Sequence, residues 1–351
     1  MSLANAHNAH NAHNAHNAHN AHNAHAGGGA AGGGLLAQAL MVARDAIAPM
    51  GAVAVETPGP ARQTPLTRLR RIEPDFALAA LLSELSEGLS VEAAPSRFRI
   101  TAGDGTLAEI TRPSDADFMA EAQLVAGYAE LRAERLPEII AQTGTILPFF
   151  GSILPLASGW TPCLMLLMAL VQDLATAMVQ RAKLGFGVAR PHVLSPDIQP
   201  VIACPGHSAY PSGHAAQGFA LAGMLGALSG ADGPDPASPL DRMAARIAVN
   251  RMVAGVHYPV DSAAGAVLGL AVARWLVARA TGDKVTGLGL DGGAWGGDAP
   301  GGSRDFHLPA FCRAWHAGTC LAPTTTFAAP EAPLLAALWQ GAQQEWGQRW
   351  G

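Results

Sequence analysis

The chain has 351 residues, enough for one large or two modest cores, and its formal charge of −5 is small. No basic block stands out, so nucleic-acid binding has no electrostatic footprint. Alanine, leucine and glycine dominate while tyrosine and isoleucine are sparse, a balance that favours helices over sheet.

Residues 5–25 are seven Asn-Ala-His triplets, followed by a glycine-alanine run over 27–34. Such a segment has no apolar face to bury. It reads as a disordered affinity tag or low-complexity tail with a flexible linker, whose histidines could hold a divalent metal loosely. One helical domain is expected over 35–351, opening with a helix at 35–47 and a proline-punctuated loop at 50–65. Residues 75–89 carry Phe76, Leu78, Leu81, Leu82, Leu85 and Leu89 at helical spacing. Residues 98–110 read as a short hairpin around Gly103-Asp104-Gly105. A long amphipathic helix is expected at 115–136, capped by Ser114 or Asp115. Further helices are expected at 161–181, 212–227, 239–253, 260–280 and 331–350. The glycine-rich stretch 282–302 reads as a disordered insertion. The fold class is therefore all-α: a helical bundle with no more than a small β-hairpin.

Cys163, Cys204, Cys312 and Cys320 are too few for a disulfide framework in so long a chain, and the first residues lack a secretory signal's basic-then-apolar pattern. Together these point to a cytoplasmic protein with free thiols. No charge lies between Glu138 and Asp173, yet Pro148, Pro155 and Pro162 divide that window, whereas a spanning helix wants about 20 continuous apolar residues. Arg274 and Arg279 cut the later apolar stretch, 263–280. These segments read as buried helices of a soluble core, with membrane contact not favoured.

Three clusters between Lys183 and Asp261 carry the chemistry. Lys183 and Arg190 are seven residues apart, two helical turns, and face one point if the segment stays helical. Gly185 and Gly187 make a helix followed by a loop an equal alternative. An ammonium and a planar guanidinium together suit an oxyanion, and Pro191 restricts the backbone at Arg190. Ser212-Gly213-His214 looks like a helix start with Ser212 as cap. Free N–H groups there form an anion site, and the adjacent histidine suits a general acid. In His257-Tyr258-Pro259-Val260-Asp261 an imidazole precedes another helix start, with Pro259 in the first turn. Asp261 can reach back to one ring nitrogen of His257, leaving the other free as a nucleophile. Asp261 alone could be merely a helix cap. Arg251 adds a third cation.

This set resembles the superfamily of type 2 phosphatidic-acid phosphatases and vanadium-dependent haloperoxidases. The family pattern is lysine, six residues, Arg-Pro; then Pro-Ser-Gly-His; then Ser-Arg, five residues, histidine, three residues, aspartate. It is met at Lys183, Arg190, Pro191, Pro211, Ser212, Gly213, His214, Arg251, His257 and Asp261, with Asn250 where serine is usual. Residues 120–151 and 195–206 look like the soluble bacterial branch of that superfamily. The resemblance implies a helical bundle with a motif core at 161–281, and a phosphatase acting on a small phosphorylated substrate without a metal. Lys183, Arg190, Arg251, Ser212 and the N–H of Gly213 would hold the phosphoryl oxygens. His257, oriented by Asp261, would form a phosphohistidine, and His214 would protonate the leaving group. The alternative it implies is a haloperoxidase with vanadate on His257, consuming halide and peroxide. A membrane-associated lipid-phosphate phosphatase is a further alternative, and a non-enzymatic metal-binding protein rests only on the histidine-rich segments.

Outside the motifs, Cys312, His316 and Cys320, with His307 nearby, are residue types that suit zinc, but Gly318 and Thr319 disfavour the helix they would need, and ordinary packing accounts for them. Gly287, Gly289, Gly292, Gly293 and Gly296 lack the strand and lysine-serine end of a phosphate loop. His192 and His207 lie close to the motifs and read either as lining the pocket mouth or as solvent-exposed loop histidines.

Overall fold

Proline and serine set most helix starts, and glycine several of the stops, in the computed structural model, which describes residues 37–43, 62–297 and 299–350. The chain divides into two units, Met1–Thr64 and Pro65–Gly351. In the first, residues 37–43 are an exposed helix inside the one expected at 35–47. The triplet repeat, the glycine run and most of the 50–65 loop lie outside the described residues.

The second unit opens with α1 (Pro65–Leu69) and α2 (Pro74–Ser86), then β1 (Leu89–Ala93), β2 (Arg97–Ala102) and β3 (Gly105–Thr111). Next come α3 (Asp115–Gly127), a 3-10 turn (Tyr128–Leu131), α4 (Arg132–Gly144) and the short α5 (Leu147–Gly151). The motif region follows as α6 (Pro162–Phe186), α7 (Pro191–Leu194), α8 (Gly213–Leu228), α9 (Pro239–Val253) and α10 (Pro259–Thr281). β4 (Lys284–Asp291), α11 (Leu308–Ala317), β5 (Leu321–Ala328) and α12 (Pro333–Trp350) complete it.

Ser114 caps α3 in a reciprocal box with Asp117, so the expected 115–136 helix starts as read, but it breaks at the 3-10 turn before α4. Gly187 and Gly282, both in the left-handed region, stop α6 and α10. The first of these settles the Lys183–Arg190 segment as helix followed by loop.

The all-α expectation is corrected by a five-stranded mixed sheet in the order β1-β2-β3-β4-β5. The expected hairpin is there, with Phe98 opposite Ile110, but it is the middle of a larger sheet. β1 begins at Leu89 because α2 ends at Ser86 and Gly88 turns the chain with φ 78°. The stretch expected to be a disordered insertion instead supplies β4, which pairs parallel with β3 and antiparallel with β5. The reason lies in the glycines: a Cβ on Gly287 would overlap the carbonyl oxygen of Thr106 on β3. Glycine here permits close backbone approach within a strand whose Val285, Leu288 and Leu290 are buried.

The sheet lies against α10 and α6, and α10 is buried along nearly its whole length. Gly265 and Gly269 of α10 let α8 come into backbone contact. A Cβ on Gly265 would overlap Ser212 O, and one on Gly269 would overlap Ala216 O. Because Ser212 faces Gly265 and Ala216 faces Gly269, the two helices run parallel, with their N-termini side by side. Among the described residues two helical segments are long and apolar enough to cross a membrane, Pro162–Leu194 with mean hydropathy 1.8 and Pro259–Thr281 with 1.5. In the second, 89 % of the most apolar window is buried inside the protein itself.

Gly269→Ala should destabilise the protein by about 1–3 kcal/mol, because the added methyl meets rigid backbone. Gly127→Ala, at a helical glycine with open space around it, should be neutral or slightly stabilising. Urea unfolding of the two variants checks the contrast, and equal midpoints would refute the close-contact account.

Candidate active site

The convergence of α8 and α10 brings two helix N-termini to one place. Ser212 caps α8, its hydroxyl accepting from Ala215 N–H, and its own N–H donates to Asp261 O at 2.8 Å. Pro259 opens α10, and Asp261 in the same turn accepts from Tyr258 N–H at 2.9 Å. That carboxylate oxygen, Oδ2, also meets His257 Nδ1 at 2.7 Å. The pairing inferred from the spacing is thus present, and Asp261 is a helix cap as well as an orienter.

Lys183, in the last turn of α6, donates to Ser208 O and Ala209 O at 2.6 and 2.8 Å. Arg190, extended ahead of Pro191, donates to Val256 O at 2.7 Å and to His207 O, and its Nη1 lies 3.2 Å from His257 Nε2. A guanidinium only donates, so Nε2 is the acceptor and the ring proton sits on Nδ1 facing Asp261. His257 is therefore the neutral tautomer with its lone pair directed at the cations. Burial, then Arg190 and Lys183, push its pKa well below the usual 6.5, in agreement with that geometry.

Arg251 stands in the last turn of α9, 1 % exposed, and donates from Nη2 to Ile139 O and to Gln142 Oε1. Its Nε and Nη1 have no partner among the described residues. Burial brings this guanidinium down to about 10 and also lowers Lys183 and Arg190. Burial pushes Asp261 the other way, and Lys183 and Arg190 pull it back. Lys183 and Arg190 thus share one centre with His257 and Asp261, while the charge that acts on Arg251 is Glu138.

His214, partly exposed, has Nε2 2.9 Å from Gln142 O. A carbonyl only accepts, so Nε2 carries the proton. Gln142 of α4 joins His214 to Arg251. Sequence reasoning missed this residue, since a lone glutamine on an amphipathic helix carries no signal. It also missed Glu121, fully buried on α3, whose Oε2 accepts from Val260 N–H in the first turn of α10 and whose Oε1 accepts from Arg304. Burial pushes that carboxyl up to about 8. Asn250, the departure from the family pattern, bridges α4: its Oδ1 accepts from Arg135 and its Nδ2 donates to Gln142 Oε1.

Residues 160–282 match the PAP2 superfamily. This segment is similar to the type 2 phosphatidic-acid phosphatase superfamily. Phosphatase-type hydrolysis is the activity that comes with the PAP2 superfamily. No curated protein matches the chain significantly. Every motif residue lies within the PAP2 match, whereas Glu121, Gln142 and Arg304 lie outside it.

The other candidate clusters resolve into packing. His307 caps α11 through Ala310 N–H, and Cys312 is buried with Sγ 3.6 Å from Pro234 O. His207 contacts Arg190 through Nδ1 and its carbonyl, while His192 lies 3.4 Å from Cys204 Sγ.

An NMR pH titration, with His257→Gln used to assign the resonance, should show the His257 ring neutral at pH 6.5 and titrating well below it. The unfolded chain takes up a proton near pH 6.5 that the folded one refuses. This group's share of stability is therefore present above about 6.5 and is lost as pH falls towards the folded value. A midpoint at or above 6.5 would contradict the neutral-nucleophile geometry.

Proposed function

We propose that the protein hydrolyses a phosphate monoester through a phosphohistidine on His257. The observation that carries this is the pair of buried cations, Lys183 and Arg190, around a neutral imidazole, with Arg251 Nε and Nη1 buried and without a partner among the described residues. Buried cations that lack counter-charges favour an anion of matching shape, and a tetrahedral phosphoryl group offers three oxygens to the donors of Lys183, Arg190 and Arg251. The adjoining starts of α8 and α10 add partial positive charge, with Gly213 N–H and the Ser212 hydroxyl as further donors.

His257 Nε2 attacks phosphorus, and the bond from phosphorus to the leaving oxygen breaks. His214, as the imidazolium with its Nε2 proton on Gln142 O, gives its Nδ1 proton to that oxygen and then takes a proton from the water that attacks the phosphohistidine. Phosphate departs and both histidines return to their starting states. Asp261 holds the Nδ1 proton throughout, stabilising the positive charge that His257 acquires. Charge stabilisation and positioning supply most of the acceleration, with the general acid contributing about 10²–10⁴-fold. Because Lys183, Arg190, Arg251 and His257 are all buried, the phosphoryl group enters the centre and the rest of a small substrate stays on the side of His214.

The same donor set fits vanadate, which His257 Nε2 would ligate and the three cations would hold. When bound it would supply peroxide activation towards halide. A paired assay separates the readings: phosphate release from an aryl phosphate, and bromination of a reporter with vanadate, peroxide and bromide. The expected result is phosphate release that falls to background in His257→Ala and by about 10²–10⁴-fold in His214→Ala on a poor leaving group. Vanadate-dependent bromination that outpaces hydrolysis would overturn the proposal, as would folded protein with neither activity.

A further inference from the structure

Gln142 holds groups from two different motifs at once. Its side-chain oxygen accepts from Arg251 Nη2 at 3.1 Å, and its backbone oxygen faces His214 Nε2 at 2.9 Å. It is 1 % exposed, on the last full turn of α4, a helix outside the PAP2 match.

The amide orientation follows from its partners. Arg251 can only donate, so Oε1 faces it, and Nε2 is left to donate to Glu138 Oε1 at 2.9 Å. Glu138 is itself gripped by Arg246 through contacts of 2.8, 2.9 and 2.7 Å. Asn250 donates to the same Gln142 oxygen, and Arg135 anchors Asn250. Arg132 adds a bond from Nε to Val253 O at the end of α9. The buried amide is therefore fixed from several sides, and Arg251 has only this oxygen and Ile139 O as acceptors among its described contacts. A side chain with a long, flexible stem gains a defined position only through such partners.

We propose that Gln142 is a positioning residue that sets Arg251 against His214, so that the oxyanion grip and the leaving-group acid act on one phosphoryl group. The inference rests on the phosphatase reading for its kinetic consequence, but not for its anion-binding consequence. The Asn250 departure belongs to the same network: its amide accepts from Arg135 and donates to Gln142 together.

The test compares the full chain with Gln142→Leu and Gln142→Glu. Leucine keeps the bulk and removes the acceptor; glutamate keeps an acceptor for Arg251 but adds negative charge beside the anion. Binding of inorganic phosphate and of orthovanadate is measured by calorimetry, alongside KM and kcat for an aryl and an alkyl phosphate and thermal unfolding of each protein. Gln142→Leu should weaken binding of both anions by roughly ten- to a hundredfold, the loss expected for a hydrogen bond to a charged group. It should lower kcat on both esters by a similar factor, because the contact to His214 is the Gln142 backbone carbonyl, which the substitution leaves in place. Gln142→Glu, which keeps the acceptor for Arg251 but sets its second oxygen against Glu138, should recover part of the kcat lost in Gln142→Leu while KM remains raised. A merely structural role predicts a lower unfolding temperature with anion affinity unchanged in both variants, and that outcome overturns the proposal. Wild-type protein that binds phosphate but hydrolyses neither ester would sink the phosphatase reading, and the effect of Gln142→Leu on phosphate binding would still decide this one. Wild-type protein that binds neither anion would remove both.

Discussion

The contact between α8 and α10 is the constraint on which the rest of the site depends. Two parallel helices at backbone distance place their positive ends together, an arrangement that is electrostatically unfavourable without a counter-charge. Gly265 and Gly269 make it sterically attainable, and the hydrogen bond from Ser212 N to Asp261 O pins the two starts in register. Side chains larger than hydrogen at either glycine would hold Ser212 away from Asp261 and so separate the second motif from the third. Lys183 and Arg251 come from the opposite polarity, at the C-terminal ends of α6 and α9, where cations offset the helix dipole. Helix direction thus sorts the roles: N-terminal ends present N–H groups and histidines, and C-terminal ends present long cationic side chains.

Within that frame the charges are poorly balanced by design of the fold. The loop 207–209 supplies carbonyls for Lys183 and Arg190, which stabilise the cations by hydrogen bonding without cancelling their charge. Asp261 is committed to His257 and to the helix cap. The cations that depress His257 also keep its lone pair available at acid pH, so anion binding and nucleophile readiness stem from the same charges.

The motif residues were legible in sequence because their geometry is local. Asp261 lies four residues after His257 and Ser212 stands immediately before Gly213, so caps and turns dictate those contacts. The ends of α9 and α10 were legible for the same reason, through Pro239, Pro259 and Gly282. What could not be read were partners from distant segments. Gln142 and Glu121 serve the site from α4 and α3, and nothing in their neighbours distinguishes them from surface polar residues of an amphipathic helix. The sheet was misread for a related reason. Gly287 and Gly289 break the apolar alternation of β4 that would mark a strand, β1 is short, and β5 is half exposed, with Thr324, Thr325 and Thr326 in it. A strand whose glycines exist to admit a neighbour cannot be recognised until the neighbour is known.

The parallel pairing of β3 with β4 bears on how the chain is made. Thr111 and Asp291 are partners across 180 residues, with all the motif helices between them. At ribosomal speeds of about 5–20 residues per second, the outer edge of the β2–β3 hairpin waits on the order of ten seconds or more for the strand that covers it. Until then its unpaired N–H and C=O groups are open to any other nascent chain. The sheet therefore closes as one of the last acts of folding, and yield from overexpression should depend on chaperones that shield a strand edge rather than on the stability of the finished protein.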